Sequence, residues 1–294
     1  AAMDNVVRQC LSIAEQALLA RYRLHVVRHP SDPQFDVAYD ALAAHFGPLG
    51  EIESRADVVR ITSQTQVHDG IFVVLPHILA HSADGEVAAV AARYVTYEPA
   101  TRTLAGLDVN VLCHPAHRGA GLGPLLEALL IWIGQQLLLE QGAAHFEVAM
   151  ELGDLDPISL ADPNSLRRAV VWGRSGYRVI PPQVFPLSLV GMQTESAHAP
   201  PLPMLPILRF PLPDPSRYAE ATSVRKAQLH TLARHLQAAH AYAADAGLQQ
   251  ATMQLHAAIA RRSADPVTLL PLPQHTGGTG VDSLLLALRE TVAP

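Results

Sequence analysis

Residues 107–132 read LDVNVLCHPAHRGAGLGPLLEALLIW, and this stretch predicts a strand, a glycine-rich turn and a helix in that order. The apolar, strand-like run ends before the turn, and an amphipathic helix is predicted to begin near Leu122. Gly121 and Gly123 let the backbone approach an anion closely, and the first N–H groups of a helix have no intrahelical partners. Because the helix dipole and Arg118 both attract negative charge, the turn predicts a phosphate-binding site.

The spacing of the glycines narrows the kind of phosphate ligand. Gly119, Gly121 and Gly123 alternate, whereas a dinucleotide fingerprint has Gly-x-Gly-x-x-Gly and a Walker loop ends in Gly-Lys-Ser/Thr. Counted from Arg118, the pattern Arg-x-x-Gly-x-Gly resembles the acyl-CoA pyrophosphate loop of the GNAT superfamily of N-acetyltransferases. The short motif alone leaves open the alternative of an ordinary glycine-rich turn.

Segments on both sides of the turn follow the order of the same superfamily. Upstream, two strands joined by turns precede the strand at Leu107, and downstream a strand, a short helix and another strand follow. The last of these begins with Gly176-Tyr177, which resembles the Gly-aromatic pair of the second GNAT signature. The segments are Gly70–His81, Glu86–Tyr97, His145–Glu151, Leu166–Ser175 and Gly176–Ile180.

The resemblance implies an α/β fold, with a GNAT-type mixed, mainly antiparallel sheet flanked by helices and a splayed cleft after the fourth strand. We expect an N-terminal helix in residues 1–30, an acetyltransferase domain in 31–212 and a helical C-terminal extension in 213–294. Further helices are predicted at Phe35–Phe46 and Ile52–Ile61. In the extension, apolar residues at helical spacing predict a helical hairpin interrupted near Gly247, and then a terminal helix at Val281–Glu290. A last strand of the sheet is predicted at Met204–Phe210.

The resemblance also implies the residues that would bind acetyl-CoA, or another acyl-CoA, as co-substrate. The strand before the turn would offer backbone N–H groups to the pantetheine and the thioester, and the turn would hold the pyrophosphate. A later helix would contribute Asn164 and Trp172. The strand and turn residues are Leu112, Cys113, His114, Arg118, Gly119, Ala120, Gly121, Leu122 and Gly123.

Direct transfer to an amine requires removal of a proton from the nitrogen and protonation of the departing thiolate. Asp108 and Asn110 are the catalytic candidates, because they lie two apart on the strand and therefore on one face. Glu147 and Glu151 are lesser candidates for the base. Trp172 stands where members of the superfamily often carry a tyrosine as the acid, and tryptophan has no acidic proton to give.

Composition limits the other classes of function. The net charge is −6 and the chain has no Lys/Arg cluster, which argues against nucleic acid as a partner. The longest apolar run is too short for a membrane span, and no secretory signal is recognisable, so a cytoplasmic protein is expected. The 15 histidines form no recognised metal motif, and no metal is predicted. A low charged fraction of 16% keeps a homodimer open.

The sequence therefore predicts an acyl-CoA-dependent N-acyltransferase that acts by direct transfer to a primary amine, either a small molecule or a peptide. The alternative is a non-catalytic protein of the same fold that binds acyl-CoA or another protein, and Trp172 is the residue that favours it. The identity of the amine has no recognisable signature in the sequence.

Overall fold

This computed structural model describes residues 11–49, 51–188, 203–213, 217–241 and 246–290. Its strands, β1 to β14, are Arg23–Val27, Gln66–His68, Ile71–Val74, His77–His81, Val87–Glu98, Thr103–Cys113, Val148–Leu155, Arg178–Val179, Leu187–Ser188, Pro203–Pro211, Tyr218–Ala219, Ser223–Val224, Val267–Thr268 and Leu270–Pro271. Its helices, α1 to α8, are Ile13–Leu19, Gln34–Phe46, Arg55–Ser63, Leu122–Glu140, Pro163–Arg174, Lys226–His240, Ala246–Arg261 and Thr279–Glu290.

Twelve of the strands form one sheet, whose central order is β1-β4-β5-β6-β7-β10-β8-β14. Neighbouring strands along this order are antiparallel except β6 and β7, which run parallel. The expected mixed, mainly antiparallel sheet flanked by helices is confirmed. The segment predicted as one strand at 70–81 is divided into β3 and β4, which pair with successive parts of β5.

Helices cover both faces of the sheet, because β5 is buried along almost its whole length and therefore needs apolar cover on each side. Helix α4 packs on one face in a cluster that includes Leu126, Leu130 and Ile133. The other face carries α2, α3, α6 and α7, which meet the sheet in a single large cluster. The C-terminal helices are present as predicted; α6 and α7 share this core with the sheet, and α8 packs in a separate cluster that includes Leu284.

The N-terminal prediction needs correction. A helix was expected in residues 1–30, but α1 ends at Leu19 and Arg23–Val27 is a strand that pairs with β4. A capping box between Ser12 and Glu15 starts α1, so the local helix signal is real but short. Leu24 and Val26 fit a helical or a strand period equally well, and pairing with β4 decides between them. Residues 1–10, including Cys10, lie outside the described part.

The C-terminal prediction also changes, because β11 to β14 interrupt the helices and β14 joins the sheet beside β8. Strand β7 begins at Val148 and continues to Leu155, beyond the predicted end at Glu151. Residues 242–245, at the predicted break between the two helices, lie outside the described part. The division into domains at residues 30 and 212 stays a prediction.

Gly134 fixes how closely α4 approaches the sheet, because a Cβ added there would overlap the Val95 side chain on β5. We expect Gly134→Ala to lower the free energy of unfolding by about 1–3 kcal/mol through overpacking, measured by urea denaturation. The matched control is Gly47→Ala, since Gly47 also has helical backbone angles but open space at the Cβ position. Equal stabilities of the two variants would contradict this close packing.

Candidate active site

A cleft opens where β6 and β7 stop pairing. The two strands are paired in parallel only from Thr103 to Leu107 on β6 and from Val148 to Leu152 on β7. Immediately afterwards β6 carries a bulge: Leu107 lies opposite Tyr94 and Val109 opposite Arg93, which leaves Asp108 without a partner on β5. Asp108 has a φ of 42°, an unusual value for a residue with a side chain. Pairing of β6 with β7 ends at the bulge, and the two strands diverge there as the resemblance implies.

Backbone groups of β6 line the cleft in alternation. The His114 N–H donates to the Ala88 carbonyl on β5 at 2.9 Å, so it is not available to a ligand. Because backbone groups of successive residues point to opposite edges of a strand, the Leu112 N–H also faces β5 and the Cys113 N–H faces the cleft. The expectation that all three amides orient a ligand is therefore corrected to Cys113 alone. Val111 shares the cleft-facing register of Cys113.

Glycine is required in the loop for two different structural reasons. Gly119 and Gly121 have φ of +84° and +83°, and the space beside each α-carbon is open. Gly121 is the N-cap of α4, so its backbone and that of Ala120 are exposed at the start of the helix. Gly123 lies within the helix, where an added Cβ would come 3.4 Å from Val111 Cγ1. Leu122 is buried and anchors the loop to the core.

The cysteine of the strand lies beside the helix start. Burial raises the pKa of the Cys113 thiol, although Arg118 and the Gly123 N–H oppose the rise. The thiol therefore stays protonated at neutral pH and is a poor nucleophile. The Arg118 side chain lies across the strand end, where its Nε donates to the Cys113 carbonyl at 3.0 Å.

The loop opens into a cavity of about 710 Å³, which we call the loop cavity. One wall is the glycine loop itself. Four arginines line the cavity, Arg118 from the loop and Arg174, Arg209 and Arg217 from the other walls. Arg209 and Arg217 are paired with carboxylates, so Arg118 and Arg174 are the cations that favour a ligand bearing phosphates.

A second cavity of about 570 Å³, the cleft cavity, lies in the splay between β6 and β7. It adjoins the loop cavity, because Cys113, Arg118 and Gly123 line both. Trp172 lines it from α5 and packs edge-on against Tyr177, with ring centroids 5.2 Å apart. The lining also contains Arg167 and Arg168 on α5 and, toward α2 and α3, three carboxylates: Glu51, Asp154 and Asp156.

Two of the predicted cofactor contacts lie at the margin of this arrangement. Asn164 is exposed in the first turn of α5 and is not among the residues that line either cavity. His114 is exposed too, and its Nδ1 accepts from the Ala116 N–H at 3.3 Å. Their predicted contacts with acyl-CoA would require a ligand to extend beyond the two cavities.

The catalytic candidates on β6 are both engaged with neighbouring elements. Asp108 is 2.5 Å from Nε2 of His240, at the end of α6. Burial lowers the pKa of His240, but the carboxylates of Asp108, Glu53 and Asp154 together outweigh burial, and the net direction is upward. Asn110 donates from Nδ2 to the Glu51 carbonyl at 2.9 Å. Pairing of Asp108 with the C-terminal helix has no local signal in the sequence.

Asp154 is a cavity residue that the sequence analysis does not identify. Burial, followed by the negative charges of Asp108 and Glu51, raises the pKa of its carboxyl to about 7. The residue follows the predicted end of the strand at Glu151, so it falls in a segment expected to be a loop. Only the longer β7 places its carboxyl in the cleft.

A buried ion network lies beneath the cleft, and the sequence does not reveal it. Arg93 Nη1 is 2.6 Å from Glu127 Oε1, and Arg209 Nη2 is 2.7 Å from Glu127 Oε2. Glu151 contacts both arginines, and the Tyr177 hydroxyl donates to Glu127 at 2.7 Å. Each of these side chains is almost completely buried.

Glu151, a lesser candidate for the base, is not suited to this role because it is paired with two arginines of the network. The other candidate, Glu147, is exposed on the surface and paired with Arg102. The network also explains Gly106, because an added Cβ there would come 2.8 Å from Arg93 Nε.

Within the described ranges, no three His, Cys, Asp or Glu side chains are grouped as metal ligands would be. Among the described helices, α4 alone has the length and apolar composition of a membrane span, and 67% of that stretch is buried inside the protein. Core helices have the same composition, and Glu127 on α4 belongs to the ion network.

No family model and no curated protein matches the chain. Among solved structures, it is similar to nourseothricin acetyltransferase, with 16% identity, a TM-score of 0.28, and coverage of 46% of this chain and 65% of that one. A GNAT-family acetyltransferase from Staphylococcus aureus has 10% identity, a TM-score of 0.36, and coverage of 64% and 99%. A GCN5-related N-acetyltransferase from Kribbella flavida has 16% identity, a TM-score of 0.31, and coverage of 64% and 97%.

The fold of this chain is defined by its own strand order. Strands β4, β5 and β6 are antiparallel neighbours, and the glycine loop and α4 connect β6 to β7. Because β7 pairs in parallel with β6 and then diverges from it at the bulge, the chain has the strand arrangement that the resemblance to the GNAT N-acetyltransferases implies.

Proposed function

We propose that this protein is an acyl-CoA-dependent N-acyltransferase that passes its acyl group, with acetyl as the expected one, directly to a primary amine. One observation carries the proposal. The loop cavity, rich in arginine, and the cleft cavity, which contains carboxylates, adjoin at Cys113, Arg118 and Gly123. A donor with a diphosphate at one end and a thioester at the other suits this pair of cavities, with the amine entering from the acidic side.

The loop cavity suits the diphosphate for electrostatic reasons. The N–H groups in the first turn of α4 have no intrahelical partners, and the helix dipole adds positive potential there. Gly119 and Gly121 leave open space beside the backbone, so phosphate oxygens can approach it. Arg118 would exchange its contact with the Cys113 carbonyl for a contact with phosphate.

The cleft cavity suits the transfer step. A thioester oxygen aligned with the Cys113 N–H would be polarised by a fixed donor, which is usually an effective way to stabilise developing negative charge. The amine nitrogen forms a bond to the carbonyl carbon, the carbon–sulfur bond breaks, and the sulfur leaves with a proton as free CoA. Because the Cys113 thiol is held protonated, an acyl-enzyme at this residue is disfavoured.

The acceptor is proposed to be a small molecule or a peptide that carries a positive charge. Glu51 and Asp154 line the cleft cavity, and neither forms an ion pair with another described residue. Carboxylates so placed attract an ammonium group and raise its local concentration. Asp156, by contrast, is neutralised by Arg168 at 2.7 Å.

The second candidate function is a non-catalytic protein that binds acyl-CoA through the same loop. Trp172 favours it, because this side chain lines the cleft cavity and cannot protonate a thiolate. Both functions predict binding of CoA, and only the first predicts its release from acetyl-CoA.

The test has two measurements on the whole chain. Titration calorimetry with CoA and acetyl-CoA should give dissociation constants of about 1 µM to 1 mM, weakening as salt rises. A thiol assay should then show release of CoA from acetyl-CoA with at least one member of a panel of diamines, amino sugars, amino acids and peptide N-termini. Binding without release would favour the non-catalytic function, and absence of binding would contradict both.

A further inference from the structure

We propose that Asp154 is the general base of the transfer and that the Asp108–His240 pair is a positioning element beside it. This inference rests on the proposed function and goes beyond it by assigning the proton transfer to Asp154, a residue past the predicted end of its strand. Asp108 is the base candidate that it replaces.

The position of Asp154 follows from the divergence of the strands. Leu152 is the last residue of β7 that pairs with β6, and Asp154 is two residues further along. Two residues apart on a strand means the same face, so Asp154 points toward the side covered by α2, α3 and α6. On its other edge β7 remains paired with β10, where Asp154 lies opposite Pro206, so the backbone is held by the sheet. A carboxylate on a paired strand is positioned more firmly than one on a loop.

Apart from Glu51, which lies in the connection between α2 and α3 and not on a strand, the other carboxylates around the cleft are already occupied. Each of them is bonded to a fixed donor, which lowers its availability to a substrate nitrogen. Within the described part of the chain, Asp154 lines the cavity with no ion-pair partner. The occupied pairs are Asp108 with His240 at 2.5 Å, Glu53 with the Tyr94 hydroxyl at 2.8 Å, Asp156 with Arg168 at 2.7 Å, and Glu127 and Glu151 with Arg93 and Arg209.

Charges from four directions act on Asp154. Asp108 on β6, Glu51 ahead of α3 and Asp156 after β7 are negative, and together with burial they raise its pKa to about 7. His240 on α6 interacts with Asp154 in the opposite sense, since the negative charge of Asp154 contributes to the raised pKa of His240. A base is most effective when its pKa lies near the working pH, so Asp154 is matched to neutral conditions.

The protons balance without a further reagent. The amine enters as an ammonium, and its first proton passes to the Asp154 carboxylate and then to water. The neutral nitrogen attacks the thioester carbon, the carbon–sulfur bond breaks, and the second proton lost by nitrogen ends on sulfur. The products are the amide, free CoA and one proton released to solvent.

The first experiment compares Asp154→Asn with the wild type, using CoA release from acetyl-CoA and the most active amine of the panel. We expect kcat/KM to fall about 10²- to 10⁴-fold, with unchanged binding of CoA by calorimetry. In the wild type kcat/KM should decline below pH 7, and this acidic limb should be absent from the residual activity of the variant. Glu51→Gln removes a carboxylate from the same cavity and should keep the limb but move it to lower pH, because the Glu51 charge is one of those that raise the pKa of Asp154.

A second measurement does not depend on an acceptor. In protein labelled with ¹³C at aspartate carboxyls, one signal that Asp154→Asn eliminates should titrate near pH 7. In His240→Gln the same signal should titrate at higher pH, because Asp108 is then an unpaired negative charge. Titration near pH 4 in the wild type, or loss of the acidic limb in Glu51→Gln instead, would overturn the assignment. Failure of the proposed function is a separate result: the wild type would then neither bind CoA nor release it.

Discussion

Gly121→Val is expected to weaken binding of CoA by at least about 100-fold, which corresponds to roughly 2.7 kcal/mol. Gly121 has a φ of +83°, which valine adopts only under strain, and a branched side chain would fill the open space beside the backbone. Both effects act on the same few N–H groups at the start of α4. Calorimetric titration of CoA into the folded variant measures the loss, and affinity within a few-fold of the wild type would refute the loop as the phosphate site.

A matched control separates backbone strain from loss of the site. Gly85 has a φ of +84°, open space at its Cβ position and a place in the hairpin turn between β4 and β5. Gly85→Val and Gly121→Val should therefore lower the free energy of unfolding by similar amounts, about 1–2 kcal/mol each. The affinity of Gly85→Val for CoA should equal that of the wild type. If both variants lose CoA binding together, general destabilisation would be the cause.

Glu127→Ala is expected to lower the free energy of unfolding by about 3–5 kcal/mol, the largest loss that we predict. Glu127 is paired with Arg93 and Arg209, and its removal leaves the two guanidinium groups with Glu151 as the one remaining carboxylate of the network. A buried charge without compensation is costly because no water is present to solvate it. Chemical denaturation followed by circular dichroism measures the change.

The surface pair between Glu147 and Arg102 provides the control for this prediction. Its atoms are also 2.6 Å apart, but the glutamate side chain is 60% exposed, compared with 1% for Glu127. Glu147→Ala should change the free energy of unfolding by no more than about 1 kcal/mol. Equal losses in the two variants would show that the distance between the charges, rather than their burial, determines the effect.

The sequence indicates much of the fold because the relevant signals are local. The helix at Phe35–Phe46 and the strand at Met204–Phe210 follow from period and composition, and they lie within one residue of α2 and β10. The loop from Arg118 to Gly123 is recognisable because glycine is needed at particular steps of a strand-to-helix turn. Errors arise where a period is ambiguous, as in Arg23–Val27, which becomes a strand through pairing with β4.

The candidate site can be predicted from local sequence signals only in part. Sequence spacing puts Asp108 and Asn110 on one strand, but their neighbours, His240 and the Glu51 carbonyl, are distant in the chain and meet them only on folding. The bulge at Asp108 depends on the register against β5, which a single sequence does not specify. Asp154 falls in a predicted loop, whereas the structure places it on a strand paired with β10.

By itself the sequence determined the strand before the glycine loop, the loop and the helix behind it, because each depends on backbone preferences of neighbouring residues. Tertiary structure alone decided which charges meet. The buried ion network joins four separate elements through Arg93, Glu127, Glu151 and Arg209. Its ion pairs are strong only because folding excludes water from them. The raised pKa of Asp154 has the same origin, since burial and carboxylates from other segments produce it.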